Sequence, residues 1–359
     1  MNAWLLSAYR AESHAAWANW LVSTFSELDW QRFELPGRHF AWRIRGNPLS
    51  WLDALPDDAP DLVVATSMVD LSTLKGLHPR LGNIPTVYYF HENQFAYPRG
   101  KAQLRALEPK MVQLYGALAA DRVLFNSEFN RQTFMDGVDA LLARMPDCVP
   151  ARIVDRIREK SGVLPVPIRP VTPAENRDRG LVVWNHRWEH DKNPELFAEA
   201  MIALAGRGAD FRLALLGWRH DKTSAALTRL RDVLGDRIVA DACLPTNEYR
   251  ALLARAGIVV STSNHEFQGI SVLEAASAGC IPLVPDALVY PEIYPADYRY
   301  PAGDQKALVG RLTDWLSGQA PGPLDVDAWS DMQLEPAWRK ALVDEDTRFH
   351  EAMERFRDA

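Results

Sequence analysis

The sequence predicts two Rossmann-like α/β domains joined by a short hinge, on three observations. The chain has 359 residues, about twice the usual length of one domain. Short β-branched or aromatic runs bounded by turn residues recur along it with amphipathic stretches between them, the pattern of parallel strands linked by helices. One proline-rich join, Leu164-Pro165-Val166-Pro167-Ile168-Arg169-Pro170-Val171-Thr172-Pro173, interrupts that pattern and is too stiff for a helix or a central strand.

Before the join, a first strand leads to the helix start at Ser13-His14. Further strands are expected at Asp61-Leu62-Val63-Val64-Ala65-Thr66, Pro85-Thr86-Val87-Tyr88-Tyr89-Phe90 and Asp121-Arg122-Val123-Leu124-Phe125-Asn126. After it the pattern restarts at Leu181-Val182-Val183-Trp184, Phe211 to Leu216, Gly257 to Ser261 and Ile281-Pro282-Leu283-Val284. This divides the chain into a domain over 1–168, a second over 169–337 and a charged, helix-prone tail over 338–359 that is expected to return to the first domain. Open α/β sheets bind ligands at the carboxyl ends of their strands, so the site is expected in a cleft that the two domains face.

Composition limits the function classes. Hydrophobic residues at 47% and charged residues at 24% fit an ordinary globular protein. A net charge of −7 argues against general nucleic-acid binding, which needs basic surface. The opening Met1 to Ser7 reads without a basic leader, and no run of about 18 apolar residues occurs. Three scattered cysteines, Cys148, Cys243 and Cys280, form no CxxC pair and read as packing residues in a reducing compartment. A cytoplasmic protein without a membrane span is expected. Against the acidic average stands a local strip, Arg32, Arg38, His39, Arg43 and Arg45 with Phe40 and Trp42 among them. It is either a base-and-phosphate surface or a solvated basic loop with its aromatics turned inward.

The strongest constellation is His265-Glu266-Phe267-Gln268-Gly269-Ile270-Ser271-Val272-Leu273-Glu274, two carboxylates eight residues apart around a helix start. Gly269 permits close backbone approach, and the free N–H groups around Phe267, Gln268, Gly269 and Ile270 suit a diphosphate. Glu266 on the loop can meet a sugar, and Glu274 can take ribose hydroxyls. Alone, two such acids are as well explained as surface residues. The second constellation, Asn185-His186-Arg187-Trp188-Glu189-His190-Asp191-Lys192-Asn193-Pro194, follows a strand and ends on a helix-start signal. Its Arg187 and Lys192 can neutralise a diphosphate leaving group.

In the first domain, Tyr89-Phe90-His91-Glu92-Asn93-Gln94 puts His91 and Asn93 at a strand end. Neutral His91 can bond a sugar hydroxyl or the attacking group, or be a satisfied structural histidine. Asn126 ends another strand and can orient donor or acceptor. Ser13 and His14 are weaker acceptor candidates, equally explained by capping the helix that follows. No paired-ligand spacing or Asp-x-Asp after a strand suggests a metal, so metal-independent chemistry with no cofactor is expected.

These motifs resemble glycosyltransferase family 4, a retaining GT-B family. The phrases His39-Phe40-Ala41-Trp42-Arg43, Tyr89 to Gln94, His186 to Lys192 and Leu288-Val289-Tyr290-Pro291-Glu292-Ile293-Tyr294-Pro295 are similar to those of the tRNA-queuosine α-mannosyltransferases. The resemblance implies GDP-mannose as donor and the cyclopentene diol of queuosine in a tRNA anticodon as acceptor. It implies retention at the anomeric carbon with the diphosphate held by Arg187 and Lys192. For such an acceptor a chain of net charge −7 needs a local cationic strip with aromatics that stack an unpaired base, so Arg38, Trp42, Arg43 and Arg45 are expected on the tRNA. A hexosyltransferase acting on a lipid or glycan, and a non-catalytic sugar-nucleotide or tRNA-binding module, are the alternatives.

Overall fold

The computed structural model describes residues 1–97, 107–219 and 224–343. The chain divides into two compact units, Met1–Val166 with Leu334–Ala359, and Pro167–Gln333. Residues 344–359 of the tail expected from sequence lie outside the described residues.

In the first unit six strands alternate with helices: β1 (Asn2–Arg10), α1 (Glu12–Thr24), β2 (Asp29–Pro36), α2 (Phe40–Ser50), β3 (Leu62–Thr66), α3 (Leu71–Leu77), β4 (Thr86–Phe90), α4 (Glu108–Ala119), β5 (Arg122–Phe125), α5 (Glu128–Leu142), α6 (Ile153–Arg158) and β6 (Ser161–Val163). The sheet runs β2-β1-β3-β4-β5-β6, with every pair parallel. β3 and β4 are buried along their whole length, which is why they read as unbroken apolar runs rather than alternating ones. The order reverses between β1 and β3, and the loops after β1, β2 and β4 leave the sheet at one edge.

The second unit holds β7 (Asp178–Trp184), α7 (Pro194–Gly206), β8 (Arg212–Leu215), α8 (Ala225–Leu234), β9 (Ile238–Asp241), α9 (Thr246–Arg255), β10 (Ala256–Val260), α10 (Ile270–Ser277), β11 (Ile281–Pro285), α11 (Tyr290–Ile293), β12 (Arg299–Tyr300) and α12 (Gln305–Asp314). Its parallel sheet runs β12-β11-β10-β7-β8-β9, so the order reverses between β7 and β10. Both sequence constellations therefore leave the two strands that flank the reversal, the usual ligand position in such sheets. Asn193, at φ 52, caps α7 by accepting from the Leu196 amide at 3.3 Å, with Pro194 in the first turn.

Two local outcomes differ from the sequence reading. Four strands go unnamed in the sequence reading: β2 is an edge strand of mixed composition, β6 has three residues, β9 is a four-residue edge strand and β12 has two residues; none carries the long apolar run by which the central strands are recognised. The basic strip is not a loop: after Arg38 and a left-handed His39 it opens α2. Proline at 48 leaves the Ile44 carbonyl without its helical donor, and the Asn47 side-chain amide replaces it at 3.3 Å while also bonding the Arg43 and Met68 carbonyls. The helix survives its proline because a buried asparagine repairs it.

The proline-rich join is tied down on both sides. The Tyr89 hydroxyl donates to the Leu164 carbonyl at 2.8 Å, and Ile168 pairs with Ser330 just before α13 (Asp331–Val343). From α13, Trp338 is wholly buried in the first unit. Its ring lies 5.0 Å from Tyr89, 5.7 Å from Trp17 and 6.0 Å from Trp20, and its Nε1 donates to the Pro165 carbonyl at 3.0 Å.

Trp338→Ala empties this aromatic cluster and orphans the Pro165 carbonyl. It is expected to destabilise the first unit by about 3–5 kcal/mol, read as a lower urea midpoint for that unit. An unchanged midpoint would mean that α13 is dispensable to the core.

Candidate functional site

At the end of β7 and β10 the second unit buries a charged cluster. Lys192 donates from Nζ to the Glu266 carboxylate (Oε2) at 3.0 Å and to the His265 carbonyl at 2.9 Å, and lies 3.4 Å from Asp191 Oδ2. Three partners use the three donors of an ammonium. Burial opposes its charge, but Glu266 and Asp191 outweigh that and raise its pKa. Burial likewise pushes the Glu266 carboxyl up; Lys192, His186 and the Gly269 amide overcome it, bringing Glu266 down to about 2. The loops are tied together beside this pair: Thr262 Oγ1 donates to the Lys192 carbonyl at 2.8 Å, and the Asn264 amide to the Asp191 carbonyl at 2.8 Å.

Gly269 stands at φ 76 as the cap of α10, and no side chain caps that helix. A methyl group there would sit 3.2 Å from the Tyr290 ring, so both backbone conformation and space call for glycine. The side chains of Phe267 and Gln268 are buried, so what they can offer a ligand is main chain. The Phe267 amide, however, donates to Glu266 Oε1 at 3.2 Å, and the Gly269 amide also serves Glu266. Here the sequence reading needs correction: the carboxylate occupies two of the amides that were expected to cradle a diphosphate. The first-turn amides of Ile270 and Ser271 are the ones that helix geometry leaves outside its own ladder.

Glu274 accepts from the Tyr249 hydroxyl at 3.0 Å, and Tyr249 accepts from Asn185 Nδ2 at 3.0 Å. Arg187 lies on the rim, half exposed, 3.2 Å from Glu189. Lys192 and Glu266 are thus in direct contact, Arg187 is close enough to shift Lys192 electrostatically, and Glu274 belongs to a neighbouring hydroxyl network. Sequence reasoning passed over Asp191, Asn185, Tyr249 and His186. Asn185 and His186 did carry a signal, as polar residues directly after a wholly apolar strand end.

In the first unit, His91 follows β4 and is buried against three rings: His14 stacks on it at 4.1 Å, and Trp17 and Tyr89 meet it edge-on at 4.7 Å. Burial, then His14, holds its pKa well below the usual histidine value, so it is a neutral imidazole. Among the described residues its Nε2 has no hydrogen-bond partner. His14 Nδ1 lies 3.0 Å from the Tyr9 carbonyl. Ser13 is exposed in the first turn of α1, whose cap is Ala11.

Asn93 and Asn126 are corrected to structural roles. Asn93, 0% exposed, donates to Asn130 and Thr133 and accepts from the amides of Phe95 and Ala96. Asn126 donates to the His91 carbonyl at 2.9 Å and accepts from Asn130 at 2.7 Å. Both hold the loop that carries His91. On α2, Trp42 is 53% exposed, which removes a core role for it. Arg38 is exposed, Arg43 is partly buried, and Arg45 pairs with the buried Asp70, the residue that caps α3.

Among the described residues no group of three or more His, Cys, Asp or Glu is arranged to hold a metal ion. Comparison with known proteins covers both units. Residues 2–168 match the N-terminal family of tRNA-queuosine alpha-mannosyltransferase, and residues 170–327 match the glycosyl transferases group 1 family. A tRNA-queuosine alpha-mannosyltransferase of Drosophila melanogaster is 34% identical over 310 residues, 82% of each chain. Sucrose-phosphate synthase from Thermosynechococcus elongatus is similar in structure with TM-score 0.67 at 13% identity, covering 99% of this chain and 98% of that one. The lipopolysaccharide outer core galactosyltransferase WaaB is similar with TM-score 0.64 at 12% identity, over 95% and 99%. At these identities the structures establish the fold alone, the α/β GT-B class.

The buried cluster fixes how stability depends on acid. His186 and His265 are pushed from 6.5 down to about 4 by burial and then by Lys192. The unfolded chain therefore holds more protons between those values, and stability falls as pH drops from 6.5 towards 4. Glu266, moved from 4.5 to about 2, contributes stability that is present above 4.5 and lost below it. Urea unfolding across this range is expected to show the decline begin below pH 6.5, with a flatter profile in a His186→Gln, His265→Gln double variant. Identical slopes in the two proteins would contradict the burial of neutral imidazoles.

Proposed function

The chain belongs to the tRNA-queuosine α-mannosyltransferase family, and from that premise we propose that it moves mannose from GDP-mannose, with retention, to the cyclopentene diol of queuosine in a tRNA anticodon. It is a glycosyltransferase of the GT-B fold class. The observation that carries the donor half of the reading is the Lys192–Glu266 pair buried at the start of α10.

In this reading the second unit holds the nucleotide sugar. Glu266, fixed by Lys192 and two amides, presents its remaining acceptor capacity to the hexose hydroxyls. The diphosphate takes the Ile270 and Ser271 amides, the positive end of α10, with Arg187 closing from the rim. Charge grows on the leaving diphosphate as the glycosidic bond breaks, and fixed cations stabilise that state without reorganising. Glu274 and Tyr249 form the network offered to the ribose. Arg187 and Lys192 supply the positive charge, so the reaction is read as metal-independent. His91, neutral and with an unpartnered Nε2, bonds a sugar or attacking hydroxyl at the strand edge of the first unit.

The acceptor half rests on α2. An indole more than half exposed between Arg38 and Arg43 suits an unpaired base stacked beside phosphates, and it gives an acidic protein a local cationic surface. Among the described residues no helix is long and apolar enough to cross a membrane. In this reading the enzyme works on tRNA in the cytoplasm.

Mass spectrometry of nucleosides from queuosine-containing tRNA incubated with the protein and GDP-mannose tests the whole reading. A mannosyl-queuosine product is expected, undiminished in excess EDTA; absence of product, or loss in EDTA with rescue by Mg²⁺, would refute the corresponding part. Lys192→Ala and Arg187→Ala are each expected to lower turnover by about 10²-fold or more, and wild-type rates would remove the diphosphate role.

For the acceptor, charge reversal at Arg38 and Arg43 is the informative variant, because Arg45 is committed to Asp70. Binding of tRNA is expected to weaken steeply with salt while hydrolysis of GDP-mannose persists. Unchanged transfer would return α2 to ordinary surface and favour another acceptor.

A further inference from the structure

His186 is the second residue beyond β7, one of the two strands at the reversal of the sheet. Its main chain is clamped: a Cβ added at Gly217 would lie 2.0 Å from the His186 carbonyl oxygen, so the β8 loop packs directly upon it. Its ring is fixed too. Nδ1 lies 3.4 Å from Ser271 Oγ in the first turn of α10, and Trp184 meets the ring edge-on at 5.5 Å. The residue is 2% exposed, yet among the described residues its Nε2 has no partner. A buried nitrogen left unpaired is costly, and this one stands next to the start of α10 and the Lys192–Glu266 pair, where a ligand would complete it.

The neighbours identify the ligand chemistry. His186 lies within electrostatic range of Lys192, Glu266, Asp191 and Arg187. The ammonium of Lys192 is already shared among three acceptors, so it lends its charge while Arg187 approaches from the half-exposed rim. When the Ser271 hydroxyl donates to Nδ1, the proton of the neutral ring resides on Nε2 and makes it a donor, beside a helix N-terminus whose field favours an anion. We infer that His186 is a donor-binding residue whose Nε2–H bonds a phosphate oxygen of the nucleotide sugar, with Ser271 setting the tautomer. This rests on the proposed donor reading and adds to it a hydrogen-bond donor that makes no demand on the Lys192–Glu266 pair. With the ring neutral until the diphosphate arrives, the empty site does not accumulate a further buried cation.

Side-chain geometry supplies the test. In His186→Gln the amide nitrogen reaches the position of Nε2, whereas in His186→Asn it reaches only that of Nδ1; both are neutral and polar. Binding of GDP-mannose and of GDP is measured calorimetrically at neutral pH for the wild type, the two variants and Ser271→Ala, with thermal melts alongside. His186→Asn is expected to weaken both ligands roughly ten- to a hundredfold, the effect of losing a hydrogen bond to a charged group. His186→Gln is expected to return within about threefold of the wild type and Ser271→Ala to fall between. Equal affinities in Gln, Asn and wild type would overturn the assignment. So would equal losses in Gln and Asn, accompanied by equally lowered melts, because that is the mark of packing alone. A wild type that binds neither ligand would instead remove the donor reading itself, and His186 with it.

Discussion

The ion pair between Lys192 and Glu266 is the constraint on which the second unit depends. Lys192 is taken out of water and Glu266 largely so, and such a pair is tolerated only when its geometry is good and further hydrogen bonds support both charges. Here the carboxylate takes Lys192 and two amides, and the ammonium takes Glu266, the His265 carbonyl and Asp191. Those partners come from the ends of β7 and β10, so the pair is also what holds the two loops at the sheet reversal in register. The left-handed Gly269, the left-handed Asn193 and the Thr262 hydroxyl all serve that one arrangement.

The first unit solves a different problem with different means. Around His91 the buried polar groups are neutral and packed among rings: His14, His91, Trp17, Tyr89 and Trp338 form one aromatic cluster beside the loop that Asn93 and Asn126 brace, while the one buried charged group named in this unit, Asp70, is met by Arg45. A neutral, rigid histidine suits contact with hydroxyl groups, whereas the charged cluster of the second unit suits an anion. Each unit's chemistry follows from what its strand ends bury.

Much of this was legible in the residues. The central strands announced themselves because strands covered on both faces are continuous apolar runs, and Glu266, Lys192 and Gly269 stood at the strand-to-helix junctions where ligands bind. The proline-rich join marked the boundary because proline excludes both regular structures. What was not legible depends on partners distant in sequence. Nothing local says that Glu266 turns back onto its own loop amides, that Asn93 is spent on Asn130, or that Asn47 repairs the turn opened by Pro48. The edge strand β2 and the three-residue β6 carry too little periodicity to be read, and the helical state of the Trp42 segment was hidden by its own proline.

The placement of Trp338 has a consequence for how the chain is made. The first unit's aromatic core takes a ring from residue 338, on the far side of the whole second unit in sequence. On the ribosome the first unit emerges early and waits with Trp17, Trp20 and Tyr89 uncovered, while the second unit, contiguous from Pro167 to Gln333, can close as soon as it clears the exit tunnel. The usual order in which an N-terminal domain finishes first does not extend to the part of this core that needs residue 338. The first-born half of the protein is the last to be sealed, and during that interval its exposed indoles are the surface a chaperone would grip.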